Sequence, residues 1–449
     1  MIDWKAFAQE LGDIPFSDDP VRVKRRSRDF YWYSPVLKPQ LDNVSGDLLV
    51  TPRSEEEVIR VASLCAKYRA PITIRGGGTG NYGQAMPLKG GVVLDITELN
   101  RVIRLEKGVL RVQAGAKMNA IDAETRPQGW ELRMYPSTKR TATIGGFVCG
   151  GSGGIGSVGY GGLRETGNVI AARVVTVELE PRIIELRGEE CNKINRTFGT
   201  TGIVTELEIP MAPALPWRDL VISFAEFGKA AEFGQALASA SGVEKKLVSV
   251  IDWPLPRYFQ PLQKALIPEQ PIVIAMVAES GMQALHDLCR QFGGTIVFEQ
   301  DPVEAEATPA TTPLFEYTWN HTTLQILKAD RSVTYLQSMF PPGRNLELVQ
   351  AMRERFGDEV IMHMEFLLFD GKLTNSALQV VRYTTEERLN EIMDEHEANG
   401  IFIANPHVYT LEDGSRHKRV PGDQMGFKAE VDPFGLLNPG KMRSYVPVA

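Results

Sequence analysis

The sequence predicts an α+β fold in two parts, the second a ferredoxin-like antiparallel sheet with its helices on one face. Three observations carry that prediction. A chain of 449 residues is too long for one compact core. Strand and helix patterns mix through about residue 212, where Pro210, Pro213 and Pro216 mark a boundary. Beyond it two strand–helix–strand units follow one another: DLVISFAEF, GKAAEFGQALASA and KKLVSVIDW, then QPIVIAMVAE, GMQALHDLCRQFG and GTIVFEQ.

Taken in order, the elements begin with a basic run, Arg22, Lys24, Arg25, Arg26 and Arg28, that leads into Phe30, Tyr31, Trp32 and Tyr33. It reads as a solvated segment docking aromatics on the core, with peripheral contact to an anionic membrane as the alternative. Ser54 and Glu57 form a capping box. Val58, Ile59, Val61, Ala62, Leu64 and Cys65 then recur at helical spacing, so a helix covers 54–69 and Pro71 ends it. PITIRGGGTGN is a strand running into a glycine turn, GGVVLDIT (90–97) and GVLRVQAGA (108–116) are further strands, and KMNAIDAETRPQGW is a short helix stopped near Pro127. VIAARVVTVELE (169–180) and GIVTELEIPMAP (202–213) are strong strands. In the second part EVIMHMEFLLF (359–369) adds one or two strands, and TTEERLNEIMDEHEANG (384–400) a helix stopped by Gly400. The turn-rich VDPFGLLNPGKMRSY stands apart from that sheet.

Composition excludes several classes. A net charge of −7 argues against a general nucleic-acid role. Cys65, Cys149, Cys191 and Cys289 are scattered without a C-x-x-C, so neither a zinc site nor a disulfide scaffold is indicated. No signal peptide opens the chain and no apolar run has the length of a membrane span, which makes a soluble, cytoplasmic protein the default and a homodimer the default oligomer.

The stretch 143–167 is dense in glycine, and Gly151, Gly153 and Gly156 within it spell G-x-G-x-x-G. A nicotinamide-type fingerprint needs a strand before it, a helix opening on its last glycine and an acidic residue about 20 positions later. The sequence offers none of these: SVGYGGLRETGN lacks helical apolar spacing and runs into the strand at 169–180. A floppy loop is no better, because ordering so much glycine costs extra backbone entropy. Glycine persists where the backbone turns to positive φ or approaches something closely, and bare successive N–H groups make an anion nest. Two such turns, at 75–81 and 143–154, suit one pyrophosphate clasped from both sides.

These residues carry a resemblance. Arg75, Gly76, Gly77, Gly78, Thr79, Gly80 and Asn81 resemble the first pyrophosphate loop of the vanillyl-alcohol-oxidase-type (PCMH) FAD-binding domain. Tyr135, Pro136, Ser137 and Thr138, followed by Thr143, Ile144, Gly145 and Gly146, resemble its second flavin loop, with Gly150 and Gly153 behind them. Tyr160, Gly161 and the segment from Phe198 through Gly202, Ile203 and Val204 are similar to its adenine-side elements. The ending DPFGLLNPGK, which contains Asn438 and Lys441, resembles the closing signature of the branch that holds a glycolate oxidase component, D-lactate dehydrogenase and D-2-hydroxyglutarate dehydrogenase. The resemblance implies a PCMH-type FAD domain over 1–212, a substrate (cap) domain over 213–410, and a segment 411–449 that returns to the FAD domain. It implies bound FAD, with Thr79 near the place where many relatives attach flavin through histidine. All six histidines (286, 321, 363, 396, 407 and 417) lie later in the chain, and Cys149 follows rather than precedes the relevant glycines, so non-covalent FAD is expected.

Hydride transfer to a flavin needs a base near the donor carbon and cations to orient a carboxylate. The candidates lie in the cap and tail. His321 follows Trp319 and Asn320, where 2-hydroxy-acid relatives tend to have basic residues. His363 and Glu365 are i, i+2 on one strand face, and His407 lies where relatives have Glu-His-Gly. A divalent metal among His363, Glu365 and His407 is a feasible ligand set, although the relatives' H-x-G-x-G-x-x-H keeps only its first histidine here. His286, His396 and His417 read as surface residues. Arg331 and Arg344 are candidates for a bidentate carboxylate contact, with Tyr335 and Lys441 as further catalytic candidates. The expected activity is FAD-dependent oxidation of a CH–OH donor, most simply a 2-hydroxy acid, with reoxidation by a non-nicotinamide acceptor or oxygen. The alternatives are an alditol or aromatic alcohol oxidase, and a flavin-bearing subunit whose partner completes the enzyme.

Overall fold

A computed structural model describes residues 2–414 and 420–447 of the chain, so His417 lies outside the described residues. The first sheet has four strands in the order Phe16–Ser17, Leu48–Val50, Val92–Asp95, Ile72–Arg75. Leu48–Val50 and Ile72–Arg75 both run parallel to the buried Val92–Asp95 between them. Parallel neighbours need a crossover, and the helix Glu55–Tyr68 supplies it. Its capping box forms in part. Ser54 Oγ accepts from Glu57 N at 3.3 Å, but the Glu57 carboxylate accepts from the Arg53 amide at 2.7 Å. The helix ends at Arg69, in the left-handed region (φ 52°), before Pro71 is reached.

The second sheet is antiparallel, in the order Val102–Glu106, Val109–Gln113, Ile203–Pro213, Ala171–Val175, Ile183–Arg187, with Trp130–Leu132 on the far end of Ile203–Pro213. Sequence periodicity missed Val102–Glu106 and Ile183–Arg187. Both are largely solvent-facing edge strands, where charge replaces the apolar alternation that marks a strand.

The third sheet spans eight strands: Thr295–Gln300, Trp217–Ser223, Ile272–Ala278, Lys245–Ile251, His363–Phe369, Lys372–Ala377, Ser338–Met339, Phe402–Ile403. Its first four are the two expected strand–helix–strand units, interleaved as in a ferredoxin-like sheet, with helices Phe227–Ser239 and Met282–Phe292 packed together. The sheet continues for four strands more than that unit. Alternate residues explain its unbroken apolar runs. Leu220, Ile222, Val248, Val250, Val273 and Ala275 face a core shared with the helices, while Val221, Leu247, Ile251, Ile272, Ile274 and Met276 join the core of the first two sheets. A sheet buried on both faces loses the polar half of its pattern.

Two helices arise where none is expected, at Ile144–Gly150 and Ser157–Tyr160. The second opens on Gly156 (φ 103°), so the last glycine of G-x-G-x-x-G does precede a helical turn. That turn is four residues long and a helix, not a strand, precedes the motif, so the nicotinamide fingerprint still fails. The tail contributes the helix Gly422–Val431 and then meets the first sheet. Ile72 N donates to Leu436 O at 2.8 Å, and Asn438 N donates to Ile72 O at 2.7 Å.

Candidate functional site

One cavity of about 250 Å³ lies between the glycine loops and the third sheet. Its first wall is the loop 76–81. The amides of residues 77–80 donate to no backbone carbonyl among the described residues, the geometry of an anion nest. This loop rests directly on the next wall. A Cβ on Gly76 would overlap Thr143 Oγ1, and one on Gly77 would overlap the carbonyl of Thr141. Thr138 Oγ1 donates to Thr79 Oγ1 at 3.3 Å, and Thr143 Oγ1 caps the helix Ile144–Gly150 by accepting from Gly146 N at 3.2 Å. The two loops are therefore neighbours in backbone contact. Asn81 Nδ2 is buried at the cavity with no partner. A row of uncommitted amides, an orphaned amide donor and glycines without room for a side chain fit the diphosphate of a dinucleotide.

Most expected cofactor residues line this cavity: Gly76, Gly77, Gly78, Thr79, Gly80, Asn81, Pro136, Ser137, Thr138, Thr143, Gly145, Gly146, Gly150, Gly153, Gly202 and Val204. Arg75, Ile144, Ile203 and Asn438 do not. Arg75 folds beneath its own loop, donating to Arg28 O at 2.5 Å and Gly77 O at 3.4 Å, so it braces the turn. Ile144 and Ile203 belong to the core. Asn438 ties two loops together, its Nδ2 donating to Gln84 O at 2.8 Å and Phe198 O at 2.7 Å.

The opposite wall comes from the second half of the chain: Trp319, Asn320, His321, Gln337, Ser376 and Leu378. Trp319 holds φ 51°, in the left-handed region, a conformation that persists only where the surroundings enforce it. Its amide donates to Glu365 Oε1 at 2.6 Å, and the same oxygen accepts from Ser249 Oγ at 2.9 Å and faces His363 Nε2 at 2.8 Å. His363 and Glu365 thus meet, as their i, i+2 spacing requires, but both are fully buried behind Trp319 and neither lines the cavity. His321 does line it, and burial pushes its imidazole down to about 4, with Lys328 adding to the effect. It is neutral near pH 7.

The remaining candidates sit elsewhere. His407 is buried with both ring nitrogens engaged: Nε2 donates to Tyr335 O at 2.9 Å, which leaves Nδ1 to accept from Ser34 Oγ at 2.8 Å. It has no lone pair left for a metal, and the described residues contain no group of three His, Cys, Asp or Glu arranged to hold one. The set His363, Glu365 and His407 does not assemble. Tyr335 is buried against Tyr33, which lines the cavity, and its hydroxyl has no partner. Lys441 is fully buried, donating to Gly83 O at 2.5 Å. Burial lowers its pKa and raises that of Asp29, a cavity residue, while their mutual attraction opposes both shifts. Arg331 is exposed, and Arg344 pairs with Glu347 at the surface (2.7 Å), so neither lines the cavity. His286 is exposed as expected, but His396 is not. It extends the stripe Leu389, Ile392, Met393, stacks on Phe356 at 5.3 Å and donates from Nδ1 to Ile392 O at 2.8 Å. The i, i+3, i+4, i+7 spacing carried that signal.

Sequence reasoning missed Asp29, Phe30, Tyr33, Tyr82, Arg196 and Gln337, all of which line the cavity. The aromatic run after the basic segment packs on the core as expected, and Phe30 and Tyr33 serve the site as well. Of the basic run, Arg26 pairs with Asp95 and Arg28 with Asp42. Cys149 lines the cavity, and burial pushes its thiol up to about 12, so it stays protonated. No helix among the described residues is long and apolar enough to cross a membrane.

Comparison with known proteins agrees with this geometry. Residues 46–178 match the family model described as an FAD binding domain. The chain is 24% identical to glycolate oxidase subunit GlcD of Bacillus subtilis over 443 residues, covering 91% of both chains. It is 31% identical to D-lactate dehydrogenase of Anaerostipes hadrus over 37% of each chain. It is 34% identical to D-2-hydroxyglutarate dehydrogenase of Escherichia coli over 43% of this chain and 19% of that protein. An alkyldihydroxyacetonephosphate synthase structure shares the fold, with a TM-score of 0.70 at 18% identity, covering 97% of this chain and 86% of that one.

Proposed function

Proceeding from residues 46–178 as an FAD-binding domain, we propose that the chain is an oxidoreductase that takes a hydride from the CH–OH carbon of a 2-hydroxy acid. The observation that carries this reading is one cavity with two unlike walls, an amide-rich glycine wall and a wall of neutral polar side chains. In this division 1–212 and 411–449 form the FAD-binding part and 213–410 the cap.

FAD, when bound, supplies the hydride acceptor. The loop 76–81 would hold its diphosphate, with Asn81 as an added donor, while the amides that open the helix at Thr143 are already bonded within the protein and only support that loop. The attachment is non-covalent: Cys149 is a protonated thiol, and no histidine precedes residue 286. His321, neutral at pH 7 and facing the cavity, is the group placed to accept the donor's hydroxyl proton. Asn320 and Gln337 orient the donor, and Trp319, fixed by Glu365, keeps that wall in place.

The test is to record the flavin spectrum of the purified protein. D- and L-2-hydroxy acids, alditols and benzylic alcohols are then added without oxygen. Bleaching by a 2-hydroxy acid supports the reading; bleaching only by a neutral alcohol, or protein that cannot be loaded with FAD, defeats it. A second reading is favoured by one observation: the relative aligned over 91% of the chain is named a subunit. If no donor bleaches the flavin and a partner co-purifies, the chain is the flavin-bearing subunit of a larger enzyme.

A further inference from the structure

We infer that Arg196 anchors the donor's carboxylate and is the residue that makes this cavity select acids over neutral alcohols. The inference rests on the 2-hydroxy-acid reading above. Arg196 is the one Lys or Arg among the described residues that line the cavity. It is half-buried, and its guanidinium makes no hydrogen bond or ion pair with any described residue. The other cations nearest the cavity are committed: Arg75 braces the glycine turn and Lys441 faces Asp29. A guanidinium held partly out of water with all its donors free is a strong two-point site for a planar carboxylate.

The backbone around it is tightly held. Arg196 and Phe198 both hold left-handed φ, 54° and 55°. Their amides donate to Val148 O at 3.1 Å and Cys149 O at 2.9 Å, which pins the turn to the end of the helix Ile144–Gly150. Behind it Arg164 donates to Asn195 O at 3.1 Å and adds a second positive charge. Two left-handed residues in three cost energy that only the surroundings offset.

The backbone of Arg196 is anchored apart from the glycine loops. The glycine loops press on Thr143, at the start of that helix, whereas Arg196 is fastened at Val148, near its other end. At about 1.5 Å per residue the two points stand some 7 Å apart along the axis. Arg196 shares the cavity with Tyr82, and Asn320 and Gln337 line the wall opposite the glycine loops. Carboxylate, hydroxyl and donor carbon then lie across the space between Arg196 and His321.

The experiment uses FAD-loaded wild type, R196Q and R196K. Oxalate, a dicarboxylate that cannot donate a hydride, is titrated against the flavin absorbance, and anaerobic reduction by the active 2-hydroxy acid is measured alongside. Arg196→Gln should keep its FAD content. It should weaken oxalate binding and raise KM by roughly 30-fold or more, with a much smaller change in kcat. Arg196→Lys should recover part of the oxalate affinity. Unchanged oxalate binding and KM in R196Q, with wild type still reduced by a hydroxy acid, overturns the inference and leaves the functional reading intact. Loss of FAD in R196Q and R196K also overturns it, because the guanidinium then serves the cofactor's phosphates. A wild type that no hydroxy acid reduces defeats the functional reading itself.

Discussion

His407 and His321 are both pushed down to about 4 by burial. In the unfolded chain each binds a proton below about 6.5, so between the two values the unfolded state holds more protons than the native one. Their stabilisation is complete above about pH 6.5 and is lost as pH falls toward about 4. Replacing His407 by asparagine should destabilise at pH 7, since two buried hydrogen bonds change. It should also shrink the further loss between pH 7 and pH 5 by about 2 kcal/mol, read from urea midpoints at the two pH values. Glu365 is a second test at this scale. Glu365→Ala strands the Trp319 amide in the interior and leaves His363 with only its longer contacts to Ser249 and Thr322. It should cost about 3 kcal/mol and alter the fluorescence of bound flavin through Trp319. An unchanged urea midpoint would refute that role. The pairing of His363 with Glu365 was legible from their spacing. Ser249 and Trp319, which give the pair its purpose, were not, because they come from segments some distance away in sequence.

Among the elements, the two glycine loops differ from the picture of a clasp closing from opposite sides. They touch, and the contact is what requires glycine at 76 and 77. Gly77→Ala would force Thr141 away, so the protein should fold but lose most of its FAD, measured as the ratio of flavin to protein absorbance. Gly150→Ala meets no protein atom within 4 Å. It should leave the melting temperature of FAD-free protein unchanged and lower FAD content only through the cavity it faces. The loops were readable because the anion nest has a composition. The helix Ile144–Gly150 was not, since glycine is a poor helix former and tertiary contacts hold it in place: the Thr143 cap, the bonds to Ala114 and Ala116, the Arg196 and Phe198 amides on its last carbonyls, and buried Ile144, Phe147 and Val148. The edge strands escaped notice for the opposite reason, having too few buried positions to show a period.

At the scale of the molecule, the third sheet shares one apolar core with the first two and is pinned to them by a buried ion pair. Lys246 Nζ meets Glu131 Oε1 at 2.6 Å, and Glu131 also accepts from Trp217 Nε1 at 2.9 Å and pairs with Arg126. Removing one partner of a fully buried pair leaves a charge without compensation. Here Arg126 and Trp217 still hold Glu131, so Lys246→Met should cost less than a full loss of compensation, about 2–3 kcal/mol. The double variant with Glu131→Gln should lose less than the sum of the single changes, as judged from denaturant midpoints of tryptophan fluorescence. The boundary near Pro213 and the two strand–helix–strand units were legible in sequence. The far wall of the cavity was not. Asn320 and His321 open the helix Asn320–Leu327, Ser376 lies in a strand of the third sheet and Gln337 just before another, and segments so far apart in sequence meet only in the fold.

The return of the tail has a consequence for how the protein is made. Thr73 and Asn438 are in contact although 365 residues separate them, and Leu436 and Asn438 complete the backbone pairing of Ile72. At roughly 5–20 residues per second, a ribosome delivers the second segment about 20–70 s after the first. Through that interval the strand beneath the glycine loop has a bare edge, and Gln84 and Phe198 lack the amide that joins their loops. The nascent chain therefore completes this pairing only after residue 438 has emerged. A chain stalled before residue 438 should bind added FAD more weakly than one that includes it.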